Sequence, residues 1–308
     1  MPSVPAPPQP EIATAEVVGV VRLSPTFVRI TFGGDGLDRI GTPGHVFDAR
    51  IRLIFPSSSG RLPQLAGATW MADYRALPDP ERGPMRTYSI RALRADAAGT
   101  RIDVDFVLHL EPDRTGPATR WASAARPGDR ILLAGPRRDD RRAGIEFAPG
   151  PHDAVVLAGD ETAAPAIARI LEDAPATVRG VALIEVPSAD DVLSIAHPAG
   201  VDVRWLPRDG APHGRALMDA VLAHLGDHPV ALDIVDIDGD ETAWETRIYS
   251  RTGQTLDDDG GPAGDRYFWI AGESAIVTTL RRHLVDRHAV PRSQLALMGY
   301  WKASRPAG

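Results

Sequence analysis

"DAVVLAGDETAAPAIARILEDA", residues 153–174, begins as a compact apolar run and ends as an amphipathic one. In "DAVVLAGD" (153–160) the apolar residues are consecutive rather than alternating, which marks a strand buried on both faces, as in a parallel sheet. It runs into "ETAAPAIARILEDA", where Ile167, Ile170 and Leu171 recur at helical spacing and Thr162 stands where a side-chain cap belongs. A buried strand feeding a helix is the unit of an α/β layer structure, and the unit repeats downstream. "GVALIEV" (180–186) and "DVRWL" (202–206) read as strands, with helices expected near 189–196 and over "GRALMDAVLAHL" (214–225). Strand "RYFWIAG" (266–272), helix "SAIVTTLRRHLVDRH" (274–288) and strand "LALMGYW" (295–301) complete the series. The spacing predicts an α/β domain over 152–308, with a parallel sheet covered on both faces.

Upstream the period changes to two. "EVVGVVRL" (16–23), "TFVRITF" (26–32), "ARIRLIF" (49–55), "RTYSIRAL" (86–93), "RIDVDFVLHL" (101–110) and "DRILLAGP" (129–136) are short strand signals rich in β-branched and aromatic residues. Short helices are expected near 70–76 and over "PATRWASAA" (117–125), the latter with Pro117 in its first turn. Many short strands in about 120 residues predict an antiparallel β-barrel over 12–148. "APGPH" (148–152) marks the boundary, and the proline-rich residues 1–11 read as a flexible lead.

Composition narrows the chemistry. The 308 residues carry a net charge of −7, with acidic clusters at 233–241 and 257–259, so nucleic acid is not an expected partner. Cysteine is absent, which excludes disulfides, thiolate zinc sites and cysteine-ligated iron–sulfur clusters. Redox chemistry would need an organic cofactor or a non-thiolate metal. The N-terminus lacks a secretory pattern, and no apolar run approaches the ~20 residues that span a bilayer, so a cytoplasmic, monomeric protein without a membrane partner is the expectation.

Three stretches carry candidate chemistry. "RTYS" (86–89) sets a guanidinium suited to phosphate, a tyrosine face suited to a flat ring and a hydroxyl on one strand. "DFVLHLEPDRTGPATRWA" (105–122) ends a strand at His109 and opens a helix at Gly116-Pro117-Ala118-Thr119, whose free N–H groups would suit an anion. "LAGDETAAPAIARIL" (157–171) puts Gly159, Asp160, Glu161 and Thr162 beyond the end of the first parallel strand, where ligands settle in open α/β sheets. Each also has an ordinary reading: a rim tyrosine, a helix cap, a strand-to-helix turn.

In order, these stretches resemble the siderophore-interacting protein family, flavin-dependent ferric-siderophore reductases related to ferredoxin–NADP reductases. The likeness runs from "LSPTFVRITFGGDGL" (23–37) through "RTYSIR", "VDFVLH", "GPATRWA", "PGDRILLAGP" and "LAGDETAAPAIARIL" to "WET" (244–246), "WIAGE" (269–273) and "GYWK" (299–302). It implies an FAD-binding barrel followed by a Rossmann-like NAD(P)H-binding domain. By motif position, Arg86, Thr87, Tyr88 and Ser89 would hold the flavin and its nearer phosphate, with His109 alongside. Gly116, Pro117, Ala118 and Thr119 would meet the pyrophosphate, and Asp160, Thr162 and Ala164 the adenine half. The implied reaction takes electrons from NAD(P)H through FAD to ferric iron held by a siderophore.

On the nicotinamide side the candidates are Glu185, Gly272 and Glu273, with Arg204 and Arg208 as receivers of a 2′-phosphate and NADPH expected over NADH. Lys302 (the single lysine), Arg305 and Arg281, with Arg282, are candidates to attract an anionic ferric complex. Tyr300 and Trp301 would either cover the flavin or complete the core. Residues 247–265 are longer and more acidic than the usual connection. A reductase of free flavin or ferredoxin, and a siderophore carrier without electron transfer, are the alternative readings.

Overall fold

A computed structural model describes residues 10–41, 44–109, 115–138, 140, 144–150, 152, 154–227, 234, 244–246 and 266–303. Most of the predicted 1–11 lead and the 247–265 segment lie outside these residues. The end of the lead is ordered: the Pro10 carbonyl accepts from Trp70 Nε1 at 3.1 Å, and the first strand starts at Glu11.

Seven antiparallel strands form the first sheet: β1 (Glu11–Arg22), β2 (Phe27–Gly33), β3 (Arg50–Ile54), β4 (Met85–Ser89), β5 (Ala92–Asp96), β6 (Gly99–Val107) and β7 (Arg130–Gly135). Their order is β4-β3-β7-β1-β2-β6-β5. The two edge strands are consecutive in the chain, joined only by Ile90 and Arg91, so the sheet curls until its edges meet at that corner. There the Ile90 N–H bonds Ala49 and the Arg91 N–H bonds Asp103, so the curled sheet is a half-barrel where the period-two pattern predicts a barrel. "RTYSIRAL" is thus two strands rather than one. Alternate residues of each strand fill one apolar core, with Phe32, Phe106 and Leu133 buried inside. Helix α1 (Trp70–Ala76) packs Trp70 and Tyr74 outside the barrel wall, and α2 (Pro117–Ala124) follows β6.

The second sheet contains β8 (Ala154–Gly159), β9 (Arg179–Val186), β10 (Gly200–Pro207), β11 (Trp244–Glu245), β12 (Tyr267–Glu273) and β13 (Leu295–Trp301). The order β10-β9-β8-β12-β13-β11 is parallel except for β11. Consecutive apolar residues in β8 and β12 serve both faces. Val155, Leu157, Tyr267 and Trp269 meet α3 (Ala164–Asp173), whereas Val156, Ala158, Phe268 and Ile270 meet α4 (Arg215–Leu225) and α5 (Ser274–Arg282). The α3 side also takes in Phe27 and Phe147 from the barrel half, so the two halves share a core.

Two local expectations differ. No helix forms over 189–196; a single 3₁₀ turn at Ala189–Asp191 holds Asp191, whose carboxylate accepts from Ser24 Oγ and the Thr26 N–H of the barrel at 2.7 and 2.8 Å. Helix α3 begins at Ala164, and Thr162 does not cap it: its hydroxyl donates to Asp160 Oδ1 at 2.5 Å.

Three further polar links tie barrel to sheet. Arg91 pairs with Glu172 on α3, Asp173 accepts from the Val46 and Phe47 N–H groups, and Trp269 Nε1 donates to Asp48 at 2.8 Å. Asp48 also accepts from the Glu146 and Phe147 N–H groups, but it is fully buried, and burial pushes its carboxyl up to about 6. A folded-state value above the ordinary 3.8 means that the native state binds the proton more tightly. Its contribution is full below about pH 4 and lost as pH rises through about 6, a swing of about 3 kcal/mol. Denaturant titrations at intervals from pH 4 to pH 7 should show a shallower decline for Asp48→Asn than for the parent. Equal slopes would remove Asp48 as the cause.

Candidate functional site

Strand β4 divides its motif between two faces. Residues directly opposite across antiparallel strands share a face, so Arg86 and Tyr88, opposite Leu53 and Ile51, lie on the core side. Thr87 and Ser89, opposite Arg52 and Arg50, lie on the other side, where Ser89 meets the Tyr300 hydroxyl. The Tyr88 ring sits 4.5 Å from that of Phe106, which in turn lies 6.1 Å from Trp121 of α2. Burial pushes the Tyr88 hydroxyl up, keeping it a neutral phenol. Arg86 donates to the Met85 carbonyl at 2.8 Å and makes no ion pair among the described residues.

Helix α2 starts with Gly116 extended (φ −77°, ψ 170°) and Pro117 at its first position, with no side chain capping it. The side chain of Thr119 instead donates to the Val107 carbonyl at 3.4 Å. The first N–H groups of α2 therefore keep their partial positive charge for an incoming anion.

The parallel sheet supplies the opposing wall. Chain order reverses between β8 and β12, and the crevice beyond their carboxyl ends is where open α/β sheets bind ligands. Two glycines let the strand ends approach. A Cβ on Gly159 would lie 2.5 Å from Ala163 Cβ, and one on Gly272 (φ 146°) would lie 2.6 Å from Asp160 Oδ2.

Asp160, 1% exposed, is the hub of this crevice. Its Oδ1 accepts from the Thr162 N–H and hydroxyl; its Oδ2 accepts from the Glu273 N–H and Trp301 Nε1, both at 2.9 Å, and lies 3.4 Å from His213 Nε2. Burial opposes the charge, but His213, Thr162 and Trp301 together hold the carboxyl down at about 2. His213 mirrors this: burial pushes it down, yet the Asp160 bond and the charges of Asp160 and Glu161 raise it overall. The Trp301 ring lies between His109 of the barrel (6.1 Å) and His213 (5.1 Å), spanning the mouth where the two halves meet. Tyr300 is held between Trp244 and Trp269 and completes the wall.

Several sequence expectations change here. The carboxylate of Asp160 fastens the crevice and has no free oxygen for an adenine; Ala164 lies buried beside it in the first turn of α3. Glu185 is fully buried and accepts from the Gly214 and Leu217 N–H groups at 2.7 and 2.9 Å, so it caps α4 rather than meeting a ribose. Arg208 is taken up by Glu161 and Glu185. Arg204 is exposed in mid-β10 and bonds Asp202 of its own strand. Glu273 caps α5 through the Ala275 and Ile276 N–H groups and also accepts from the Ala303 N–H at 3.1 Å, so it anchors the chain beside Lys302. Arg281 pairs with the buried Glu245, and α5 runs away from the crevice, about 10 Å over its seven steps to Arg281. Arg281 and Arg282 therefore do not line the crevice. Arg305 lies outside the described residues.

Two known families match the chain in tandem: the siderophore-interacting FAD-binding domain over residues 16–140, and the siderophore-interacting protein over residues 152–304. The chain belongs to the siderophore-interacting protein family. Curated relatives include the ferric vibriobactin reductase of Vibrio cholerae, 33% identical over 61% of this chain and 63% of that one. The NADPH-dependent ferric-chelate reductase of Escherichia coli is 27% identical over 93% of this chain and 91% of its own. Among solved structures, a siderophore utilization protein from T. fusca superposes with a TM-score of 0.68 at 29% identity, covering 96% and 94% of the two chains. A ferredoxin NADP+ reductase from Neisseria gonorrhoeae, 12% identical with a TM-score of 0.51 over 90% and 91%, shares the fold.

The chain has a donor set that fits a flavin dinucleotide. An uncapped helix tip and a guanidinium without an ion pair among the described residues suit phosphates, and a tyrosine on the same strand face suits the ring. Sequence reading missed His213, which lies in a loop and is more than 50 positions from Asp160, Glu161 and Trp301, and Asp48, which resembles any loop aspartate until Trp269 is folded over it. No local pattern signals either one.

Proposed function

We propose that this protein is an FAD-containing, NAD(P)H-driven reductase of ferric siderophores, with NADPH the preferred donor, acting in the cytoplasm as a monomer. The observation that carries the proposal is the facing of two sites across one mouth: the anion-ready α2 tip with Arg86 and Tyr88 on the barrel, and the switch-point crevice at Asp160 and Gly272. The names of the Vibrio and Escherichia relatives support the ferric substrate, and the latter supports NADPH.

In this reading Arg86 and the N–H groups of Ala118 and Thr119 bind the phosphates, while Tyr88 and Ser89 orient the ring. Bound FAD supplies the conversion from two-electron hydride donor to one-electron metal acceptor. Trp301, anchored on Asp160, shields the mouth from water, and Gly272 lets the Asp160 carboxylate close against the end of β12. Lys302, next to Trp301 at the rim, gives an anionic ferric complex a cation to approach. Arg204, exposed on β10, remains the candidate for a 2′-phosphate.

Freshly purified protein should be yellow, with an oxidised flavin band that bleaches on adding NADPH under anaerobic conditions. Ferric siderophores should then restore the band faster than free flavin or ferredoxin does. A colourless protein that cannot be reconstituted with FAD would leave a carrier as the better reading. Equal rates with free flavin would leave a flavin reductase.

A further inference from the structure

At the other end of the parallel sheet, three side chains converge that the redox reading does not use. Helices α4 and α5 pack on one face of the sheet and run opposite to the strands, so their C-termini lie at the amino ends of the strands, opposite the crevice. Helix α4 ends at Gly226, whose left-handed conformation (φ 81°) and pair of closing bonds turn Asp227 back toward α5.

Beyond Arg282, α5 continues as a π-helical turn over His283–Arg287. Five-residue spacing on an ordinary α-helix would put His283 and His288 about 140° apart. The π register, with its i→i+5 bonds, instead brings positions five apart onto one side. Ala289 then ends the segment in the left-handed region (φ 51°), an uncommon state for a residue with a Cβ. Such π turns and strained residues recur at functional positions.

Both imidazoles consequently meet one carboxylate oxygen: His283 Nε2 and His288 Nε2 each lie 2.6 Å from Asp227 Oδ2. The three ligand atoms lie within 4.8 Å of one another, and the two rings are 5.2 Å apart. The other oxygen, Asp227 Oδ1, is 3.2 Å from Arg287 Nη2, which orients the carboxylate from behind. Hydrogen bonds from His283 and His288, with the charge of Arg287, hold the Asp227 carboxyl down at about 2. Asp227 and His283 are nearly buried, and His288 keeps 26% of its side chain exposed, leaving a route for an ion and for completing water ligands.

We propose that Asp227, His283 and His288 form a binding site for a divalent transition cation of borderline softness, of which Zn²⁺ is the probe. Two neutral imidazoles and one carboxylate are a donor set that such ions favour over Mg²⁺ or Ca²⁺. Tetrahedral bonds of about 2.0–2.1 Å place ligand atoms about 3.3 Å apart, so each His–Asp contact opens by less than 1 Å to admit the ion. The ion takes the place of the two His–Asp contacts, with the protons it displaces passing to solvent, and it joins the end of α4 to the end of α5. It sits across the sheet from the crevice and acts as a staple rather than a redox centre.

The test uses tag-free, FAD-loaded protein stripped with a chelator. Calorimetric titration should find one Zn²⁺ per chain with a dissociation constant of micromolar or tighter, while Mg²⁺ gives no saturable binding. Saturation should raise the melting temperature by several degrees, because the ion binds only the folded chain. His288→Gln and Asp227→Asn should each weaken Zn²⁺ binding at least tenfold and abolish the thermal shift, with flavin content and NADPH oxidation unchanged. X-ray absorption at the zinc edge of the parent should report two imidazoles, which keeps the test open if a variant fails to fold. Failure to bind Zn²⁺ stoichiometrically, equal binding by His288→Gln, or a zinc shell without two imidazoles would each overturn the site. None of these results bears on the redox reading.

Discussion

Asp160→Ala lowers the stability of the folded protein by about 3–5 kcal/mol, the cost of breaking a buried charged cluster by removing one partner. The residue is 1% exposed and is the shared acceptor for the Thr162 N–H and hydroxyl, the Glu273 N–H and Trp301 Nε1, with His213 alongside. Alanine leaves these donors buried without an acceptor and the raised His213 beside a void. Asp160→Asn keeps one carbonyl oxygen and should cost less. The carboxyl is held at about 2 against an ordinary 3.8, so its contribution is present above about pH 4 and lost as pH falls toward 2. That is the opposite sign to Asp48, whose contribution declines as pH rises. Denaturant unfolding at pH 7 measures the main effect; a loss below about 1 kcal/mol would show that the cluster does not hold the crevice together.

Arg86→Ala has the largest expected effect on function. Removing a bidentate charged contact costs about 1.5–3 kcal/mol of flavin affinity, roughly a 10- to 150-fold rise in the dissociation constant. The fold should survive, because among the described residues Arg86 donates only to the carbonyl of its neighbour Met85. Flavin content after gel filtration and a fluorescence titration of the apoprotein with FAD measure the effect. Unchanged retention would move the phosphate to another cation.

Much of the fold was legible because its causes are local. The spacing over 295–301 and 117–124 is carried by residues within a turn or two, and β13 and α2 form where the pattern puts them. The period-two barrel and the apolar runs of the parallel sheet are likewise properties of short windows. The break in "RTYSIRAL" was not legible, since it depends on Arg91 turning to reach Glu172, 81 positions away. The same limit explains the helix wrongly expected at 189–196, where Asp191 serves Ser24 and Thr26 more than 160 positions earlier.

Chain order and hydrophobic period by themselves determined the two-part architecture, the lack of cysteine excluded thiolate chemistry, and motif order nominated the flavin-side candidates. Only the tertiary structure decided which charged residues are free. Glu185, Arg208 and Arg281 look like ligands in one dimension, yet each is satisfied by a partner 23 or more positions away. The physical reason is that a buried charge must be paired wherever the fold brings a partner, and sequence proximity carries no information about that pairing. The convergence of Asp227 with His283 and His288 is the same effect: a helix end and a π turn 56 positions apart meet only once α4 and α5 have packed on one sheet.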